Sequence, residues 1–245
     1  MMESHQFETR LAKDEADIRA AQRLRYEVFV EEMGATATES DHAERLERDA
    51  FDPYFDHLLL LYEERVVGAY RLMRSDMAAD GIGFYGASEF DLEKLSKHRA
   101  LELGRSCVAK DFRGGVGMHL LWDGLGNYVT RHNIQLLFGV ASFTGTEIAP
   151  LKQALTYLHH KHLAPEDLRV RSKAYMSLDQ MVWEDVDQRS AIKQIPPLIR
   201  AYVKLGGFVG DGVFVDKGFN TVDVCLIMDT TRMVQRYKNF YGRER

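Results

Sequence analysis

The chain has 245 residues, 45% of them hydrophobic, enough to bury a large core without covalent staples. Its two cysteines, Cys107 and Cys225, lie inside apolar strand-like runs, so packed thiols in a reducing cytoplasmic setting are expected rather than a disulfide. A net charge of −5 with Lys and Arg scattered among acids argues against a nucleic-acid face; MMESHQFETR lacks an apolar signal core and no apolar run approaches a membrane span, so a soluble or peripheral protein is expected.

In chain order, Asp14 to Met33 places Ile18, Ala21, Leu24, Val28 and Phe29 on one face and is followed by Gly34, which predicts an amphipathic helix. An acidic, turn-rich stretch from Thr38 to Asp56 leads into two apolar runs, His57 to Tyr62 and Val66 to Met73, separated by Glu63-Glu-Arg65, which predicts a β-hairpin. A polar segment with a short helix near Ser88 to Lys97 precedes a strand, Ala100 to Ala109, then Arg113-Gly-Gly-Val-Gly117 and a helix from Gly117 to Arg131. The remaining expectations are a strand at Ile134 to Phe143, a helix at Thr146 to His162 and an extended stretch at Arg169 to Trp183. A helix follows Pro196-Pro197 through Leu205, then strands at Phe208 to Val215 and Val222 to Met228 and a helix at Thr230 to Tyr241. Without repeats or linkers, and with helices and strands that do not alternate strictly, one continuous α/β domain over 1–245 is expected, built on a mixed sheet covered on both faces.

The strand, glycine loop and helix around residues 100–122 form the stretch richest in chemistry. Backbone donors at a helix N-terminus suit a phosphate, yet Gly115-Val-Gly117 is neither a dinucleotide fingerprint nor a Walker loop, so an anion site and a plain turn are equally good readings. Glu102 and Arg105 stand among Leu, Gly, Cys and Val, so at least one of them is expected to enter the interior. A buried Glu102 is either tied to a structural partner or is a carboxylate whose basicity burial raises, able to take a proton from an attacking amine.

Four blocks in the first half, Leu24-Arg-Tyr-Glu-Val-Phe-Val-Glu-Glu32, Asp49-Ala-Phe-Asp52, Gly68-Ala-Tyr-Arg71 and Glu102-Leu-Gly-Arg-Ser-Cys-Val108, resemble the GNAT-related branch that contains acyl-homoserine-lactone synthases and ornithine-lipid N-acyltransferases. In the second half, Leu120-Leu-Trp122, Ile195 to Tyr202 and Gly210-Asp-Gly-Val-Phe-Val-Asp216 with Phe219-Asn-Thr221 resemble the ornithine N-alpha-acyltransferases, with about 185–245 as a family-specific C-terminal extension. The resemblance implies a GNAT-like (acyl-CoA N-acyltransferase) fold with a mixed central sheet flanked by helices. It also implies transfer of a 3-hydroxyacyl chain from acyl carrier protein to the alpha-amine of L-ornithine, giving lyso-ornithine lipid, with no tightly bound cofactor. The protein would be cytoplasmic, with release of product at the inner face of the membrane. Alternatives are a CoA-dependent amine N-acetyltransferase, a lactone synthase, or a membrane-active or acyl-binding protein without turnover.

By the same resemblance, Glu102 would be the general base and Tyr175 would protonate the leaving thiolate. Amides around Cys107, Val108 and Ala109 would polarise the thioester carbonyl, with Arg113, Gly114, Gly115 and Gly117 receiving the phosphopantetheine. Here the chain departs from common CoA-using relatives: Phe112 occupies the first motif position and Arg113 is offset by one. Arg25 and Phe29 join the substrate constellation; Arg71 or Arg105 could take the acceptor's carboxylate and Asp49 or Asp52 its side-chain ammonium, or these charges could simply pair with one another. Lys110, Arg113 and Arg131 could dock an acidic carrier protein, or be ordinary solvated surface. His159-His160-Lys161-His162 is not expected to hold a metal, because adjacent helical histidines point to different faces.

Overall fold

The structure is a computed structural model and describes residues 6–113 and 116–231. Two compact units are distinguished, one formed by the chain up to Gly83 together with Glu102–Asn133, the other by Phe84–Leu101 together with the chain from Ile134 onward.

The first unit carries β1 (Phe7–Leu11), α1 (Glu15–Arg25), α2 (Glu39–Glu44), β2 (Asp56–Tyr62), β3 (Arg65–Arg74) and α3 (Ser75–Asp80). It also holds α4 (Val116–Arg131) and most of β5 (Ala100–Val108). The strands run in the order β1-β2-β3-β5, with β1 and β3 antiparallel to β2. Glu63 and Glu64, both at positive φ (47° and 68°), close the hairpin that the sequence predicts. β3 is buried along almost its whole length, which a strand covered on only one side would not be. Its two faces have different covers: Gly68 lies under Leu121 of α4, where a Cβ would come to 2.9 Å from Leu121 Cδ1, while Arg71, three positions on, turns to the opposite face and meets the groups around α1. Asp14 caps α1, its side chain accepting from the Asp17 amide at 3.0 Å. Beyond Arg25 the chain winds into a π-helix, Tyr26–Glu32, a rare conformation that recurs at functional sites.

The second unit carries β4 (Phe90–Asp91), β6 (Leu136–Thr144), α5 (Lys152–His162), β7 (Arg171–Ser172), α6 (Gln188–Gln194), α7 (Pro197–Lys204), β8 (Phe208–Val209), β9 (Phe214–Asp216) and β10 (Thr221–Asp229). β10 is the central strand here, antiparallel to β6 along its full length and to β8 and β9 at its two ends. The single strand expected at Phe208 to Val215 is thus two, split at Gly210 and Gly212. The core gathers Phe90, Leu95, Leu136, Phe138, Val170 and Ile227 among others, and α7 buries Ile199, Tyr202 and Val203 at helical spacing. The stretch expected to be extended, Arg169 to Trp183, mostly lacks regular structure, with only Arg171–Ser172 in a strand and Met176 in an isolated bridge to Val213. The helix expected from Thr230 to Tyr241 lies largely outside the described residues, as do Gly114 and Gly115. No helix among the described residues is long and apolar enough to cross a membrane.

Candidate active site

Arg25 is the last residue of α1 and is fully buried, with 0% exposure; Arg71, in the middle of β3, is 1% exposed. Interior guanidinium groups require partners, and both have them in a closed ring of alternating charge. Arg25 donates from Nη1 to Asp52 Oδ1 at 2.6 Å and from Nη2 to Oδ2 at 3.2 Å, and its Nε meets Glu47. Arg105 Nε donates to the other Glu47 oxygen at 3.0 Å, and Arg105 Nη2 to Asp49 at 3.2 Å. Arg71 Nη1 donates to Asp49 at 2.6 Å and to Asp52 at 2.8 Å, which closes the ring. Three cations thus face three carboxylates, and the charges balance.

The backbone supports this arrangement. Asp49 accepts from the Phe51 amide at 2.9 Å, and Asp52 accepts from Gln22 Nε2 at 2.9 Å. The Arg71 guanidinium lies over the Phe55 ring at 4.5 Å. Burial by itself pushes the Asp52 and Asp49 carboxyls up, but the arginines outweigh it and hold both below the usual carboxylate range, Asp52 the further. His57, whose Nε2 lies 3.0 Å from the Asp52 carbonyl, has its own pKa lowered chiefly by burial.

Glu102 is 2% exposed, in the inward-facing first half of β5. Two residues on, on the same face of the strand, a Cβ on Gly104 would stand 4.0 Å from Arg71 Nε, so Glu102 occupies the face that covers the ring. β5 then kinks, since Arg105 adopts a left-handed backbone with φ 49°, which few non-glycine residues do, and residues 104–106 become half-exposed. The kink accompanies the turn of the Arg105 side chain to Glu47 and Asp49. Cys107 beyond it is 4% exposed, and burial pushes its thiol up to about 12.

Of the constellation that the sequence suggests, Arg25, Asp49, Asp52, Arg71 and Arg105 meet in the ring, and Glu102 lies on the strand face that carries Gly104 over Arg71. Phe29 is half-buried within the π-helix. Of the two readings of the charges, mutual pairing is the one displayed: Asp49 and Asp52 are both engaged by arginines. Glu47 is a ring member that the sequence did not single out; it sits in an Arg- and Glu-rich stretch, where only the buried Leu46 beside it hints at an inward turn. At the loop, Val108 and Ala109 are buried, and the Ala109 amide is taken by the Val67 carbonyl at 2.8 Å. That amide is therefore not available to a carbonyl or phosphate. Arg113 donates to Glu32 at 2.7 and 3.1 Å and from Nε to the Val108 carbonyl at 2.8 Å, so its guanidinium already serves a carboxylate and a carbonyl. Gly117 is the second residue of α4, where amides have no acceptor within the helix. Lys110 and Arg131 are exposed.

In the other unit, Tyr175 is 44% exposed and donates to Asp211 at 3.2 Å. Arg171 lies 4.0 Å over its ring, and Gly212, at φ +85°, makes room for that ring: a Cβ there would come within 2.7 Å of it. The histidine run proved less dispersed than its sequence spacing suggests: His159 and His160 share a neighbourhood with Asp179, which lies 3.1 Å from His160 Nε2, and Trp183 stacks on His160.

Residues 24–123, which contain the whole ring and Glu102, match the family described as "Acetyltransferase (GNAT) domain". The chain is 52% identical over 246 residues to the L-ornithine N(alpha)-acyltransferase of Rhodobacter capsulatus, covering 97% of this chain and 95% of that protein. It is 41% identical over 250 residues to the enzyme of the same name from Rhizobium meliloti, covering 97% and 84%. Among solved structures, FeeM, an N-acyl amino acid synthase from uncultured soil microbes, superposes with a TM-score of 0.51 at 11% identity over 92% of this chain and 91% of that one, a likeness of fold alone. The expected α/β architecture, a mixed sheet flanked by helices, is therefore that of the GNAT acyltransferases. The chain is an acyltransferase and belongs to the L-ornithine N(alpha)-acyltransferase family.

Proposed function

We propose that this enzyme transfers a 3-hydroxyacyl group from acyl carrier protein to the alpha-amine of L-ornithine, giving lyso-ornithine lipid. Membership in the family implies an amine acceptor and an acyl thioester donor; the carrier protein, the hydroxyacyl chain and a membrane-proximal release of product are the finer parts of the proposal. The observation that carries it is 52% identity along nearly the full length of an enzyme named for this reaction.

The catalysis proposed is direct. Glu102 removes a proton from the ammonium or attacking amine of ornithine, the nitrogen adds to the thioester carbonyl, and the tetrahedral intermediate collapses with loss of the pantetheine thiolate, which takes a proton from solvent. Direct attack is supported by the state of the cysteines: Cys107 is buried with its thiol pushed up to about 12, and Cys225 is 1% exposed, so neither is a ready thiolate nucleophile. The ring of Arg25, Glu47, Arg105, Asp49, Arg71 and Asp52 is assigned a positioning role: it fixes β3, the 47–52 segment and the kink of β5 behind Glu102. Carboxylate capture by Arg71 or Arg105 would use a nitrogen of an arginine already held in that ring.

Purified protein incubated with 3-hydroxyacyl carrier protein and L-ornithine should yield acyl-ornithine by mass spectrometry. Absence of that product, with acetyl-CoA consumed in the presence of another amine, would overturn the proposal; lactone formed from S-adenosylmethionine would point to the synthase alternative.

A further inference from the structure

The unit that lacks Glu102 has a carboxylate cluster of its own, which the chemistry above does not use. Glu89, just ahead of β4, Asp216, ending β9, and Asp223, on β10, each bring a carboxylate oxygen to within 4.8 Å of the other two. Glu89 and Asp223 are 4% and 3% exposed. Asp216 is oriented by its own turn, its Oδ1 accepting from the amides of Gly218 at 2.7 Å and Phe219 at 3.0 Å.

The surrounding strands add neutral oxygens. Thr221 pairs directly across from Asp216 and stands two residues from Asp223 on β10, so all three side chains project from one face of the β9–β10 ribbon. Thr221 is 3% exposed, and its Oγ1 finds no hydrogen-bond partner among the described residues. A buried hydroxyl without a partner costs about 1–3 kcal/mol, so one placed beside three carboxylates points to a ligand that it completes. Ser142 of β6 pairs across from Asp223 on the same face and is half-exposed, leaving a side open to solvent.

We propose that Glu89, Asp216, Asp223 and Thr221 form a binding site for a hard divalent cation, with calcium the best match in ligand type. All the donors are oxygen, the set that calcium and magnesium select. A site whose donors are all protein oxygens favours calcium, which takes carboxylates and other oxygens in flexible geometry, over magnesium, which keeps several of its waters and is rarely held in an all-protein cage. A divalent ion also offsets three converging carboxylates better than one substrate ammonium does. Bound there, it would tie the segment leading into β4 to the β9–β10 ribbon.

The test uses the full chain, stripped with EDTA, followed by calorimetric titration and thermal unfolding with calcium chloride, with magnesium chloride and with L-ornithine separately. Calcium at a hundredfold excess over its Kd should raise the unfolding midpoint by roughly 5 °C or more, and magnesium by less. Asp223→Asn should lose the calcium shift while still unfolding cooperatively in EDTA. Thr221→Val, which retains all three acids, should weaken calcium binding several-fold and serves if Asp223→Asn fails to fold. The proposal is overturned by a folded wild type that shows neither heat nor shift with millimolar calcium, or by a calcium shift that survives both substitutions. An Asp223-dependent shift produced by L-ornithine and not by calcium would equally overturn it, making the cluster an ammonium site.

Discussion

Replacing Asp52 by Asn probes the ring at its most connected carboxylate. Asp52 accepts from Arg25 at 2.6 and 3.2 Å, from Arg71 at 2.8 Å and from Gln22 at 2.9 Å. Asparagine retains one acceptor oxygen, but turns an NH2 toward Arg25 Nη2, Gln22 Nε2 and the Asp49 amide, so donors face donors where an oxygen had accepted three bonds. It also leaves three interior cations against two carboxylates, with Arg25 and Arg71 at 0% and 1% exposure. Removing one partner of a buried ion pair costs about 3–5 kcal/mol, a large part of a typical stability of about 5–15 kcal/mol. Urea unfolding at neutral pH should therefore show a loss of about 3 kcal/mol or more. The acid limb carries a second signature. Asp52 and Asp49 have lowered pKa values when folded, so their stabilisation is present above the ordinary carboxylate range. It is lost as pH falls below about 4, where the unfolded chain binds protons that the folded one resists. Asp52→Asn removes one of these carboxylates, and its stability should decline less steeply below about pH 5. Adding Arg71→Met restores the charge balance and should recover part of the loss. A single mutant within about 1 kcal/mol of wild type, with an unchanged acid limb, would refute the view of the ring as an interlocked unit.

Other substitutions separate chemistry from scaffold. Glu102→Gln, nearly isosteric, should lower kcat by roughly 10²–10⁴-fold while circular dichroism shows a folded protein; retained turnover would remove Glu102 as the base. Cys107→Ala should retain acyl transfer in the carrier-protein assay, since a thiol pushed up to about 12 is protonated at neutral pH, and a burst of acyl-enzyme lost in this variant would contradict direct attack. Gly68→Ala would bring a Cβ to 2.9 Å from Leu121 Cδ1 and 3.1 Å from Leu60 Cβ, and should cost about 1–3 kcal/mol in urea unfolding.

The parts of this molecule that the sequence displays are those whose cause is local. The β2–β3 hairpin follows from two apolar runs around a polar turn, and α4 and β10 from their own periodicity. β1 escapes because it is a five-residue strand with mixed burial that takes its register from β2, and the break between β8 and β9 escapes because Gly210 and Gly212 interrupt a run whose apolar pattern continues through them. The site divides in the same way. Arg25, Asp52, Arg71 and Glu102 stand out as charges inside apolar patterns, so their burial is legible; what each one touches is not, since the ring closes over 80 residues of chain, from Arg25 to Arg105. Glu47 shows the limit most clearly, because little besides the adjacent Leu46 separates it from Glu44 three residues earlier, yet Glu44 pairs with Arg19 and Arg48 at the surface while Glu47 bridges two interior arginines. The difference arises where the chain after α2 turns inward at Leu46, 0% exposed, and the Glu47 amide donates to the Gln22 carbonyl at 3.0 Å. A backbone contact between distant segments therefore decides which glutamate joins the ring, and it is this long-range closure that holds the strand face carrying Glu102.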